Sequence, residues 1–178
     1  MNSSTKDPLL GAAKVIVVLL MIMVIFAMVM IGIGIGAVVS VERAEVLAKL
    51  AEAGAPNMAF AFLIVAMALV IVLLSLAYKF FEQLGRIIDS VKAGDPFHAE
   101  NARRLALMGW ISVGGHGVAL ALAGLSKWFK PFLEKVGEFT DIGFEVDPTG
   151  ILLTLILFIL ARVFKRGAEM REELEGTV

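Results

Sequence analysis

The sequence predicts an all-α integral membrane protein, a four-helix bundle with both termini on the cytoplasmic side. Three observations carry that expectation. The chain of 178 residues is 59% apolar, with a mean hydropathy of +0.88; a soluble domain is usually about 45–50% apolar. The excess is gathered into four long runs, which is how membrane-spanning segments read. Finally, one long polar interval, residues 78–110 (YKFFEQLGRIIDSVKAGDPFHAENARRLALMGW), divides two apolar halves. It reads as a cytoplasmic helical hairpin between the second and third spans. The whole chain, 1–178, reads as one domain, with spans at about 12–39, 58–78, 105–126 and 149–164.

Charge and cysteine content narrow the function classes. The formal net charge of −1 gives no basic field for direct nucleic-acid binding. Cysteine is absent, which removes disulfides, thiolate metal sites and a cysteine nucleophile. Nine methionines and seventeen glycines suit apolar helices packed through small residues.

In order, residues 1–7 form a polar leader. Residues 15–39 carry no charge, and at 1.5 Å per residue they make a helix of roughly 37 Å, enough to cross a ~30 Å hydrocarbon core. The run is too long for a signal-peptide core and lacks a good cleavage site, so it reads as a retained span. Residues 40–56 place Val41, Leu47 and Leu50 on one side and charges elsewhere, a short amphipathic helix stopped by Gly54 and Pro56. Residues 58–77 form the second span, with Ser75 as its polar member.

Phe80, Leu84, Ile87 and Val91 recur at helical spacing, so the second helix continues past the membrane surface to Ala93-Gly94. The third helix starts at Asp95-Pro96 and spans at 105–126. Residues 127–148 read as an outer loop, with Trp128, Phe129, Phe132, Phe139 and Phe144 as interfacial aromatics and an extended portion near Phe144 and Val146. The fourth run has thirteen uncharged residues, 149–161. Extended through Phe164 it reaches about 24 Å, with Arg162 snorkelling to the surface. Residues 165–178 are a charged tail.

Asp7-Pro8, Asp95-Pro96 and Asp147-Pro148 each precede an apolar helix. An aspartate there accepts from free N–H groups at the positive end of the helix dipole, and proline fits the first helical position. Asp7, Asp95 and Asp147 are therefore the expected caps. Orientation follows from Lys and Arg. With four spans, the leader, hairpin and tail share eleven basic residues against five on the other side, which places both termini and the hairpin in the cytoplasm.

Candidate chemistry is sparse. No Ser-His-Asp set, buried carboxylate pair or HExxH helix is present, and no enzyme activity, cofactor or metal is expected. His116, in GGHG, is the ionisable residue within the apolar runs. It is the ligand candidate, set against the plainer reading of a histidine hydrogen-bonded within the bundle. One histidine without a neighbouring carboxylate is too little for a metal. Gly32 and Gly36 form a small-xxx-small pair, for packing within the bundle or for a homo-oligomer.

The stretch GDPFHAENARRLALMGW and the closing GILLTLILFILARVFKRGAEMREELEGTV resemble the bacterial membrane family catalogued as domain of unknown function 2975. The residues that carry the resemblance are Asp95, Pro96, Phe97, Asn101, Phe164, Gly167, Arg171 and Glu173. The resemblance implies a small four-helix protein of the bacterial inner membrane without catalytic activity. It also implies, as a partner, a small cytoplasmic helix-turn-helix regulator often encoded beside such proteins. On that basis the expected function is a sensor or adaptor. Phe97, Arg103, Arg104, Phe164, Lys165, Arg166 and Arg171 are its docking candidates. The alternative is a binder or carrier of a lipid or small hydrophobic molecule.

Overall fold

The computed structural model describes residues 8–136 and 148–175. The element order is α1 (Pro8–Ser40), α2 (Arg43–Glu52), α3 (Ala59–Lys92), α4 (Ala99–Val136) and α5 (Pro148–Glu175). No strand occurs among the described residues. Four of the helices, α1, α3, α4 and α5, are long and apolar enough to cross a membrane. Their side chains fit the solvent that the composition implies. Ile22, Phe26, Met30 and Ile33 of α1 are exposed, and Val17 is the one buried residue of that helix. In water such a surface would be a large apolar patch of the kind that drives association. Against acyl chains it is the matched surface.

Each turn is written locally. After α2, Gly54 takes φ 72°, and the amides of Gly54 and Ala55 donate back to the carbonyls of Ala51 and Leu50. After α3 the same device recurs: Gly94 takes φ 84°, and the amides of Gly94 and Asp95 donate to Val91 and Ser90. This is the double bond-back that a left-handed residue permits at a helix end, and glycine adopts that conformation without a Cβ clash. The amphipathic segment and both glycine stops thus fall where the sequence put them.

The packing corrects the expected four-helix bundle. Among the described residues α1 packs on α3 and the short α2, α3 on α4, and α4 on α5, while α1 approaches neither α4 nor α5. The backbones therefore form an open row in chain order rather than a closed bundle. Its alternating directions bring the start of α1, the α3–α4 turn and the end of α5 to one end. There Lys14 Nζ pairs with Asp89 at 2.6 Å and donates to the Gly85 carbonyl at 3.2 Å. Beside it, Glu82 receives Lys79 at 3.1 Å and Arg86 at 2.7 Å. The tightest apolar cluster also lies toward this end: Leu105, Met108, Leu157 and Ala161, covered by Phe80, Leu84, Ile87 and Phe164. Three members of the face anticipated on α3 thus pack, half-buried, against the core.

The far end is aromatic. Trp128 meets Phe62 edge-on at 5.0 Å and Phe129 at 4.9 Å, and Arg43 lies over the Phe60 ring at 5.7 Å. These contacts explain a second correction. The outer loop expected from residue 127 starts later, because α4 continues through Pro131 to Val136. Proline costs a helix one hydrogen bond and a steric clash. Here it falls in the last turns, where ring packing holds the helix. Phe139, Phe144 and the extended portion lie outside the described residues. The charged tail is helical as far as Glu175, continuous with the fourth span.

Gly32 and Gly36 do not pack inside the array, since a Cβ on either would meet nothing within 4 Å. Contacts that do need a glycine lie elsewhere, as at Gly109, where a Cβ would lie 2.9 Å from the Phe158 ring.

Candidate functional site

The motif residues of two distant stretches meet at the α3–α4 turn. Asn101 is the centre, with a relative exposure of 0%. Its Nδ2 donates to Ser90 Oγ at 2.5 Å and to the Pro96 carbonyl at 3.0 Å. Its Oδ1 accepts from Arg104 Nη1 at 3.1 Å. Ser90 in turn donates to the Ile87 carbonyl at 2.8 Å, and Arg104 Nη1 also reaches the Arg86 carbonyl at 3.2 Å. The amide thus uses both hydrogens and fixes the turn to the helices on either side. Burying an amide is tolerable because these bonds replace those to water. Arg104 Nε is buried without a partner among the described residues.

The second half of the cluster clamps α5 onto this turn. The Phe97 ring packs beside Phe164 at 5.4 Å between centroids. It also lies so close to Gly167 that a Cβ there would sit 2.7 Å from Phe97 Cδ1. One turn further along, Arg171 Nη1 pairs with Asp95 at 2.5 Å. Phe164, Gly167 and Arg171 follow spacings of three and four, so they share one face of α5.

This geometry revises the anticipated roles. Asp95 does not cap α4. Its amide closes the end of α3 and its carboxylate holds Arg171, while α4 starts four residues later at Ala99. The cap is His98, whose Nδ1 accepts from the Glu100 amide at 3.2 Å. Asp7 and Asp147 lie outside the described residues, though α1 and α5 do begin at Pro8 and Pro148. Of the docking candidates, Phe97, Phe164, Arg104 and Arg171 are engaged within the chain. Arg103, Lys165 and Arg166 stay at the surface, in long ion pairs of 3.8–3.9 Å with Glu100 and Glu169.

His116 belongs to a different seam, between α4 and α5 inside the apolar layer. Its Nδ1 lies 2.6 Å from the Ser112 carbonyl, so that nitrogen carries the proton and donates. Its Nε2 lies against Gly150, where a Cβ would be only 2.5 Å away. Ser112 Oγ and Thr154 Oγ1 are 2.6 Å apart, and Thr154 donates to the Gly150 carbonyl at 2.9 Å. These bonds satisfy polar groups between helices, and the histidine is packed as part of them. Among the described residues no three His, Asp or Glu side chains converge as a metal site would require.

Ser90, Ser112, Thr154 and Gly150 were not anticipated. A signal did exist for Asn101: it falls at i−4 and i−7 from Leu105 and Met108, on the buried stripe of α4. A polar residue on such a stripe marks a network.

Among the described residues the structure is helical, and four helices long and apolar enough to cross a membrane point to the class of multi-pass membrane proteins. Its family is also defined. The chain belongs to the family described as protein of unknown function (DUF2975), whose model matches residues 41–178, from the start of α2 through α5 and beyond. No curated protein and no solved structure matches it.

Proposed function

We propose that the protein is a non-enzymatic sensor or adaptor of the bacterial inner membrane, which offers its latched end to a small cytoplasmic helix-turn-helix regulator. One observation supports this reading above the others. The residues that carry the family resemblance do not line an intramembrane cavity. They fasten α5 to the α3–α4 turn and leave Arg103, Lys165 and Arg166 facing water beside the latch. Such an arrangement fixes the shape of a surface. It supplies no nucleophile, base or metal set for chemistry.

Retention of the purified regulator on the full-length protein, immobilised in detergent, tests the proposal. Retention is expected, with loss in a variant carrying Arg103→Glu and Arg166→Glu. Arg104 is left alone, because its guanidinium holds Asn101. Absence of retention, or retention indifferent to both substitutions, overturns the docking role.

The proposed orientation has both termini and the α3–α4 turn in the cytoplasm, following the eleven-to-five distribution of Lys and Arg. An alkaline phosphatase fused after Val178 is expected to be inactive. High activity reverses the orientation.

A further inference from the structure

We propose that the groove between α4 and α5, beside the latch, holds the phosphate headgroup of an anionic phospholipid from the leaflet nearest the α3–α4 turn. The groove measures about 1050 Å³. That exceeds a glycerophosphate headgroup and lies just above the ~300–1,000 Å³ range of small-molecule sites. Alanines from both helices, Ala102 and Ala161 among them, keep its floor low. Its rim carries four cations, Arg103, Arg162, Lys165 and Arg166, against two carboxylates, Glu169 and Glu172.

The cations are poorly compensated. Arg162, Lys165 and Arg166 follow spacings of three and four and crowd one face of α5. Lys165 and Arg166 share the single carboxylate of Glu169, at 3.9 and 3.8 Å. Arg162 has no hydrogen-bond or ion-pair partner among the described residues, although it ends an apolar run with no acidic residue from 148 to 168. A lone guanidinium at the edge of hydrocarbon is costly unless it reaches an anion or water. Like charges gathered on one face raise that cost, and a phosphate lowers it with two or more charge-assisted bonds.

Position selects a lipid over a soluble anion. One turn beyond Ala106, Trp110 is 66% exposed and meets the groove-lining Phe158 edge-on at 5.5 Å. An exposed tryptophan at the end of an apolar run marks the headgroup level of a bilayer. From there into the apolar layer, Val113 on α4 and Leu155 on α5 continue as exposed apolar surface. A headgroup among the arginines would therefore have its acyl chains beside Trp110 and in the hydrocarbon. The assignment requires that the four apolar helices lie in a bilayer. It does not require the regulator.

Native mass spectrometry of the full-length protein in neutral detergent, with phosphatidylglycerol and phosphatidylcholine added separately, tests it. Phosphatidylglycerol is expected to be retained preferentially. Arg162→Gln with Arg166→Gln should reduce its retention on the order of tenfold, since each surface cation contributes comparably to attraction for anionic lipid. Arg162→Lys with Arg166→Lys should keep most of it. Free glycerol phosphate at the same concentration should not compete. Equal retention of the two lipids, or an unchanged glutamine variant with intact melting, overturns the proposal. So does competition by glycerol phosphate, which would make the groove a soluble-phosphate site. Failure to hold lipid together with capture of the regulator through Arg162 and Arg166 would assign the groove to protein docking instead.

Discussion

Asn101→Leu is expected to lower the stability of the folded protein by about 2–4 kcal/mol, measured as loss of helical signal on heating in detergent. The size follows from what the substitution leaves behind. The Pro96 carbonyl loses the donor that Asn101 supplied, Ser90 Oγ loses an incoming hydrogen bond, and Arg104 Nη1 keeps only the Arg86 carbonyl. Groups left unpaired in a buried place cost about 1–3 kcal/mol each, more than the net gain of forming an ordinary hydrogen bond. Arg103→Ala is the matched control, two residues away and pointing into solvent, and should stay within about 0.5 kcal/mol. Equal melting of the two variants would mean that the turn does not depend on the amide.

The second large effect is expected at Gly167. Gly167→Ala places a methyl 2.7 Å from Phe97 Cδ1 and 3.1 Å from Cε1, closer than carbon atoms pack. The ring also packs beside Phe164, so the clash can be relieved only by moving α5 off the turn or by moving Phe97. Overpacking of this kind costs about 1–3 kcal/mol. The decisive measurement is the pair. Phe97→Ala alone should destabilise by removing ring contacts, yet in its presence Gly167→Ala should be nearly free. A coupling of about 1 kcal/mol or more is the expected outcome of that cycle, and strict additivity would exclude a direct contact.

How much of this could be read from the chain follows from the range of each interaction. The four apolar helices, the amphipathic α2 and the glycine stops after α2 and α3 are local consequences of composition and backbone sterics. So is the face of Phe80, Leu84 and Ile87, because helical period alone puts those side chains together. Asp95 misled because the same Asp-Pro pair serves two devices. Its amide can end one helix or its carboxylate can begin the next, and only the position of Gly94 in the left-handed region settles which. The outer loop expected from residue 127 misled in the opposite sense: aromatics that read as interfacial hold α4 together there, with Trp128 packed on Phe62 and Pro131 inside the helix. The pairing of Phe97 with Gly167, seventy residues apart, has no local signature beyond the shared face of Phe164, Gly167 and Arg171. Gly32 and Gly36 show the limit of motif reading. Small-xxx-small spacing allows close approach, but which helix approaches is decided by the order of the row, and α1 stands at its edge.

That α5 runs unbroken from Pro148 to Glu175 has a mechanical consequence. At 1.5 Å per residue it is a stiff lever of roughly 42 Å, with no hinge between the residues that would meet oil and those that grip Asp95 and Phe97. If the membrane-facing portion twists about its axis by one side-chain position, Phe164, Gly167 and Arg171 all leave their seats together. The three contacts are therefore linked mechanically through one helix to the segment that would meet oil.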